Sequence, residues 1–246
     1  MKHDQHGPQQ VLRQSNERWL EVCASAVLDG QIAVLPTRRW YMFAGLADNS
    51  SVADRIFAFK RRAPSKSLLL VCPTTRWLDD NFTVSDEARQ LIDTFLPGEL
   101  ALRLAWRNDA TAVVRSVGSP VALTTVADGA LGLLAATIGR PLVSTSVNIS
   151  GAPVQGGTQP CISVAQVLII LAEAQVVSVV VDGGVCPAVD ALTVVDCAED
   201  SYLWRPGTLH TDALRHVLPD LDLSRAVSDA LPRRPIAALV RRRKVT

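Results

Sequence analysis

The sequence predicts an α/β or mixed α+β domain, and three observations carry that prediction. Short apolar, β-branched runs such as "QIAVLP", "SLLLVCP", "RPLVSTS" and "VVSVVVD" alternate with longer segments of helical spacing. Those longer segments are opened by Asn or Ser and closed by Gly or Pro-Gly. The chain has 246 residues, 48% of them hydrophobic, which is enough to bury one large core.

Taken in order, residues 9–29 place Val11, Leu12, Trp19, Leu20, Val22, Ala26 and Val27 on an amphipathic helix that Gly30 stops. Residues 31–36 follow as the first strand. Asn49, Ser50 or Ser51 caps a helix to about Phe59, and a buried strand begins at Ser67. Ser85 caps "DEARQLIDTF", whose acidic first turn suits the helix dipole; Pro97 and Gly98 end it before the strand-like "ELALRLAW" and "TAVVR". Residues 121–138 read as an Ala/Leu-rich helix stopped by Gly139. "RPLVSTS" is a strand running into a loop, and Ser163 caps a helix to about Ala174. The run "VVSVVVD" and the segments "ALTVVD" and "YLWRP" complete a count of about seven to nine strands. Residues 1–14 read as an N-terminal extension, 15–218 as the main domain, and 219–246 as a flexible Pro/Arg-rich tail. That tail carries Pro219, Pro232, Pro235 and the terminal "RRRKVT", either a solvated charge run or an electrostatic RNA contact.

Composition narrows the function classes. Twenty-five Lys and Arg balance 24 Asp and Glu, so a net charge of +1 gives no global pull toward nucleic acid or membrane. The N-terminus lacks an apolar signal core and no window has 18 uninterrupted apolar residues, so a cytoplasmic location is the expectation. The five cysteines (Cys23, Cys72, Cys161, Cys186 and Cys197) form no C-x-x-C pair and are expected to be reduced packing residues. The four histidines lie at the two ends of the chain, and no His/Cys cluster has metal-ligand spacing, so no protein-held metal is predicted. Trp19, Trp77, Trp106 and Trp204 are spaced as separate core or boundary residues, with no stacking platform along one strand. "VDGG" reads as a plain turn after a buried strand.

Two segments suggest anion chemistry. "FKRRAPSKS" gathers Lys60, Arg61, Arg62 and Lys66 at a helix C-terminus and the loop after it. The helix dipole accounts for Lys60 and Arg61, but the whole cluster suits a polyphosphate. "STSVNISGAP" follows a strand with small hydroxyl and amide side chains and a glycine, the composition that lets backbone N–H groups approach an anion. In isolation it is equally a polar turn.

In series, the motifs resemble the YrdC-like family of threonylcarbamoyl-AMP synthases over roughly residues 15–210. The family pattern P-T-[DE]-[TS]-x-Y-G-L is met at Pro36, Thr37 and Tyr41. K-x-R-x-x-x-K falls on Lys60, Arg62 and Lys66, and the strand-end arginine on Arg115. S-A-N-x-S-G falls on Ser146, Asn148, Ser150 and Gly151; S-T-V-V-D keeps Thr193, and R-P-G is Arg205 to Gly207. The resemblance implies a twisted mixed sheet with flanking helices around a basic cavity. It also implies formation of threonylcarbamoyl-AMP and pyrophosphate from L-threonine, bicarbonate and ATP for tRNA t6A modification. Lys60, Arg62, Lys66, Ser146, Asn148, Arg115 and Arg205 would then bind ATP, with Thr37 and Thr193 on the threonine side. Mg2+ would accompany the triphosphate, and tRNA, double-stranded RNA or tRNA-modification proteins would be partners.

The departures gather on the amino-acid side. Arg38 and Arg39 replace an acidic and a small hydroxyl residue, Met42 and Phe43 replace Gly-Leu, and W-P-G-P-L-T is reduced to "LPGELA". Leu192 replaces a serine. The alternative expectation is therefore a paralogue that binds nucleotide or RNA without the synthase reaction. A carbamoyl-adenylate-forming enzyme with another substrate, like the related domain of hydrogenase-maturation carbamoyltransferases, ranks last.

Overall fold

The computed structural model describes residues 10–63, 65–108, 111–151, 156–172, 174 and 176–226, without the side chains of 111, 112 and 115. The terminal "RRRKVT" therefore lies outside the described residues. The chain runs β1 (Gln10–Arg13), α1 (Trp19–Leu28), β2 (Ala33–Pro36), β3 (Tyr41–Leu46), α2 (Ser50–Lys60) and β4 (Leu69–Val71). It continues through α3 (Thr75–Asn81), β5 (Phe82–Thr83), α4 (Asp86–Phe95), β6 (Leu100–Trp106), α5 (Thr111–Val117), β7 (Val121–Thr125) and α6 (Gly129–Ile138). The last elements are β8 (Leu142–Ser146), α7 (Val164–Leu171), β9 (Val179–Asp182), β10 (Thr193–Asp196), β11 (Tyr202–Arg205) and α8 (Thr211–Val217).

All strands join one mixed sheet in the order β1-β9-β2-β3-β8-β4-β7-β6-β10-β11, with β5 paired to β6. Alternation along each strand sorts residues between two faces. Val34, Phe43, Val143, Leu70, Leu102 and Val195 join the larger core, which packs under α2, α3, α4, α5, α7 and α8. Leu35, Ala44, Leu142, Val71 and Val181 point the other way, beneath α1 and α6. No helix reaches that second face over β6 and β10 among the described residues. Only Ala101, Leu192 and Val194 cluster there, with Leu69, Leu123 and Trp204 half-buried beside them. Ala101, Leu192 and Val194 are buried all the same, at 1 to 7% exposure.

Three segments differ from the sequence expectation, each because a tertiary partner decides them. Residues 9–29 divide into β1 and α1. Val11 pairs with Val180 of β9, and Asn16 Oδ1 accepts the Arg18 N–H at 2.9 Å in the turn between them. "TAVVR" is helical: with no sheet partner it opens α5, which instead buries Val113 and, one turn on, Val117 in the larger core. Residues 121–125 are a strand between β4 and β6, and only 129–138 are helix, closed by Gly139 at φ 68°. The buried β3, between β2 and β8, was not anticipated as a strand.

Candidate functional site

Asn49 starts α2 by accepting the Ser51 N–H at 3.1 Å, and Arg61 ends it in the left-handed conformation at φ 50°. This helix delivers Lys60 to the end of β8, where only 1% of the residue is exposed. Its ammonium donates to Ser146 O at 2.6 Å, Asn148 O at 3.1 Å and Asn148 Oδ1 at 2.7 Å. Ser146 Oγ donates to the same Asn148 Oδ1 at 2.7 Å, and the Ser150 N–H donates to Lys60 O at 2.9 Å. Asn148 Nδ2 reaches Thr158 O at 2.9 Å, so the loop is held from both sides. Burial pulls the Lys60 amine down to about 7, and the neighbouring Arg62 cation pushes the same way. Its three donors are committed, so Lys60 shapes the loop rather than offering a free N–H.

Arg62 is spent on its own loop: Nε donates to Lys66 O at 3.0 Å and a terminal nitrogen to Ser67 O at 2.7 Å. Burial lowers its pKa. Lys66 is exposed. The segment thus has a buried Lys60, a half-buried Arg62 and two outward cations, Arg61 and Lys66.

On the other wall, Thr37 Oγ1 accepts the N–H groups of Arg39 at 3.2 Å and Trp40 at 3.3 Å, and donates to Trp40 O at 2.7 Å. This closes the tight turn between β2 and β3 and sends its two arginines apart. Arg38, its side chain 72% exposed, lies 3.9 Å from Asp128 at the start of α6. Arg39 is 6% exposed and donates to Glu99 Oε2, which also accepts Thr208 Oγ1 at 3.1 Å. Glu99 Oε1 is buried with no hydrogen-bond partner among the described residues. Glu99 precedes β6, five strand-to-strand steps from β2. The contact is therefore made across the fold rather than between strand neighbours.

A strap of residues 183–192 crosses the same turn. Tyr41 Oη donates to Gly184 O at 2.7 Å and accepts the Gly183 N–H at 3.2 Å. The Ala188 N–H donates to Arg39 O at 3.1 Å and the Thr208 N–H to Ala191 O at 2.9 Å. Gly183 is required here, because a Cβ would lie 2.5 Å from Pro36 Cγ. "VDGG" is therefore an anchor rather than a plain turn. A cleft of about 280 Å3 opens beside it, lined by Thr37, Arg38, Asp128, Gly183, Val185 and Cys186.

The other candidates are dispersed. Thr193 is fully buried, its hydroxyl accepting the Leu209 N–H at 2.9 Å and donating to Leu209 O at 3.2 Å. Arg205 donates to Leu192 O at 3.2 Å, at the end of the strap. Arg115 falls in α5 rather than at a strand end, and its side chain lies outside the described residues.

Sequence reasoning missed Glu99 and the strap; the one signal was that "LPGELA" introduces a carboxylate exactly as "PTRRWY" introduces cations. It also missed the pairing of bases and aromatics near β11. The Arg103 guanidinium lies 3.8 Å over Trp204 and Arg225 lies 3.8 Å over Tyr202. Arg103 and Tyr202 both bond Asp196. Among the described residues no three His, Cys, Asp or Glu groups are placed to hold a metal. All five cysteines are buried free thiols whose pKa values burial raises, as expected of packing residues.

Comparison with known proteins adds a lineage to this geometry. A family model for Sua5, YciO and YrdC proteins, described as "Telomere recombination", matches residues 25–207. A threonylcarbamoyl-AMP synthase of Photobacterium profundum is 24% identical over 151 residues, covering 60% of this chain and 78% of its own. The P. abyssi Sua5 structure complexed with L-threonine aligns with a TM-score of 0.73 at 22% identity, over 86% of this chain and 61% of that one. This chain thus spans less than two thirds of that protein. E. coli YciO aligns with a TM-score of 0.66 at 17% identity, over 84% of this chain and 99% of that one.

Proposed function

The chain belongs to the Sua5/YciO/YrdC family, and from that premise we propose that it forms threonylcarbamoyl-AMP and pyrophosphate from L-threonine, bicarbonate and ATP. The observation that carries the reading is the Lys60, Ser146 and Asn148 network, which unites two separate family motifs at the end of β8. The threonine amine attacks the bicarbonate carbon, a C–O bond breaks and water is lost to give a carbamate, and a carbamate oxygen then attacks the α-phosphorus while pyrophosphate leaves. Little covalent help is needed; positioning and charge neutralisation dominate. The buried Lys60 holds the loop that faces the nucleotide, and Lys66 supplies an outward cation for the phosphates. Mg2+ would accompany the triphosphate and neutralise its charge; among the described residues no three His, Cys, Asp or Glu groups are placed to hold it.

The product feeds tRNA t6A modification in the cytoplasm, with tRNA and tRNA-modification proteins as downstream partners. No described helix is long and apolar enough to cross a membrane. The test is pyrophosphate release in assays that omit L-threonine, bicarbonate or ATP in turn. Release that needs all three is the expected result. A second reading, a nucleotide- or RNA-binding module, is favoured by the arginines that replace the acidic and hydroxyl residues after Thr37. It predicts calorimetric ATP or tRNA binding without pyrophosphate, the tRNA binding weakening steeply with salt.

A further inference from the structure

Arg39 and Glu99 each stand where the family motifs carry an uncharged residue, and each alone would burden the amino-acid side of the site with a buried charge. In the fold they meet. The Arg39 guanidinium, 6% exposed, donates to Glu99 Oε2, and this is its one side-chain hydrogen bond among the described residues. A guanidinium has five N–H donors in a planar fork, so most of its capacity is left over. Glu99 is lopsided in the same way. Oε2 takes both Arg39 and Thr208, whereas Oε1 is buried without a partner. A buried carboxylate oxygen with no donor is costly, and an orphan of this kind calls for an explanation.

We propose that Arg39 and Glu99 together form the amino-acid clamp of this protein, Arg39 taking the substrate's carboxylate and Glu99 Oε1 its ammonium group. The inference rests on the synthase reading for the identity of the amino acid. A fork with spare donors beside an acceptor oxygen without one is complementary to a zwitterion, and the two ends of an α-amino acid match it in sign and order. The pair keeps its net charge near zero, so the arginine no longer repels an ammonium group. The strap lies across the clamp through the bonds from Ala188 to Arg39 and from Thr208 to Ala191. It has no regular secondary structure, and Val185 and Val189 point outward at 73% and 42% exposure. Lifting the strap from the adjoining cleft is the route by which the ligand reaches Glu99 Oε1.

Calorimetry on the full chain tests the clamp, with and without α,β-methylene ATP. Three ligands are compared: L-threonine, L-threoninamide, which lacks the carboxylate, and 2,3-dihydroxybutanoate, which lacks the ammonium. The wild type should favour L-threonine over each analogue by roughly 10- to 100-fold, the worth of a charged hydrogen bond. Glu99→Gln should erase the preference over 2,3-dihydroxybutanoate and keep that over L-threoninamide. Arg39→Gln should do the reverse. The Arg39→Gln, Glu99→Gln double variant, which has no unpaired charge, guards against a folding failure and should lose both preferences. Nucleotide affinity should be unchanged in all of them. Retained discrimination in the single variants, or no amino-acid binding by a wild type that binds the nucleotide, overturns the clamp. If the nucleotide does not bind but the amino-acid preferences behave as stated, the synthase reading fails and the clamp stands.

Discussion

The two walls of the site are built differently. Around the end of β8, Lys60, Ser146 and Asn148 are joined by hydrogen bonds shared equally between backbone carbonyls and the Asn148 side chain, within two family motifs that keep their side chains. Across the face, the turn between β2 and β3 keeps only Pro36, Thr37 and Tyr41 of its motif. It is secured instead by charges drawn from other elements, Glu99 before β6 and Asp128 before α6. A network in which one side chain and two backbone carbonyls share a single donor tolerates few replacements, whereas a charge pair can be exchanged if both partners change. The altered wall is thus a re-paired wall: Glu99 answers Arg39. Converting Arg39 alone to the small hydroxyl residue of the family pattern would leave Glu99 unmatched.

The sharpest way to break the contrast is to remove half of the buried pair. Glu99→Ala strands the Arg39 charge and should cost about 3 to 5 kcal/mol in urea unfolding. The Arg39→Met, Glu99→Leu double variant should recover most of that loss. Equal losses in single and double variants would show that the two residues are not coupled. Lys60→Met, on the other wall, leaves Ser146 O and Asn148 without their donor and should cost about 2 to 3 kcal/mol. Pyrophosphate release should fall with it, because the loop is no longer held.

A pH series separates the walls further. Free Lys60 would keep its proton to 10.5, but in the fold it gives it up at about 7. Between about 7 and 10.5 the unfolded chain therefore binds more protons, and this group should raise stability with pH by up to about 1.4 kcal/mol per unit. The thiols oppose this above 9.0: burial raises Cys161 to about 11 and Cys23 and Cys197 to about 12, so the unfolded chain loses those protons first. Stability should peak near pH 9, and Lys60→Met should flatten the rise below it. The smallest effect belongs to Arg38→Ala. Its pair with Asp128 is long and exposed, so the unfolding free energy should change by less than about 0.5 kcal/mol. A larger loss would mean that the Arg38 ion pair, like that of Arg39, contributes to the stability of the fold.

Much of this was legible from residue types. The caps Asn49, Ser85 and Ser163, the strand "SLLLVCP" and the joint presence of Lys60, Arg62 and Asn148 near one end of the sheet follow from local signals and motif order. Helix and strand were confused where short β-branched or alanine-rich runs fit both, as in "TAVVR" and "VALTT", because a sheet neighbour, not the run itself, decides between them. Thr193 was assigned to the amino-acid side from its motif, yet its hydroxyl is committed to Leu209, a contact 16 residues away that periodicity does not encode.

The sequence by itself determined the mixed α/β class, the family and the composition of the basic loop, since these depend on local propensity and on motifs readable in chain order. Only the tertiary structure decided what Arg39 is. Its meaning depends on a carboxylate 60 residues away in the chain and five strand pairings away in the sheet, and no local pattern reports that contact.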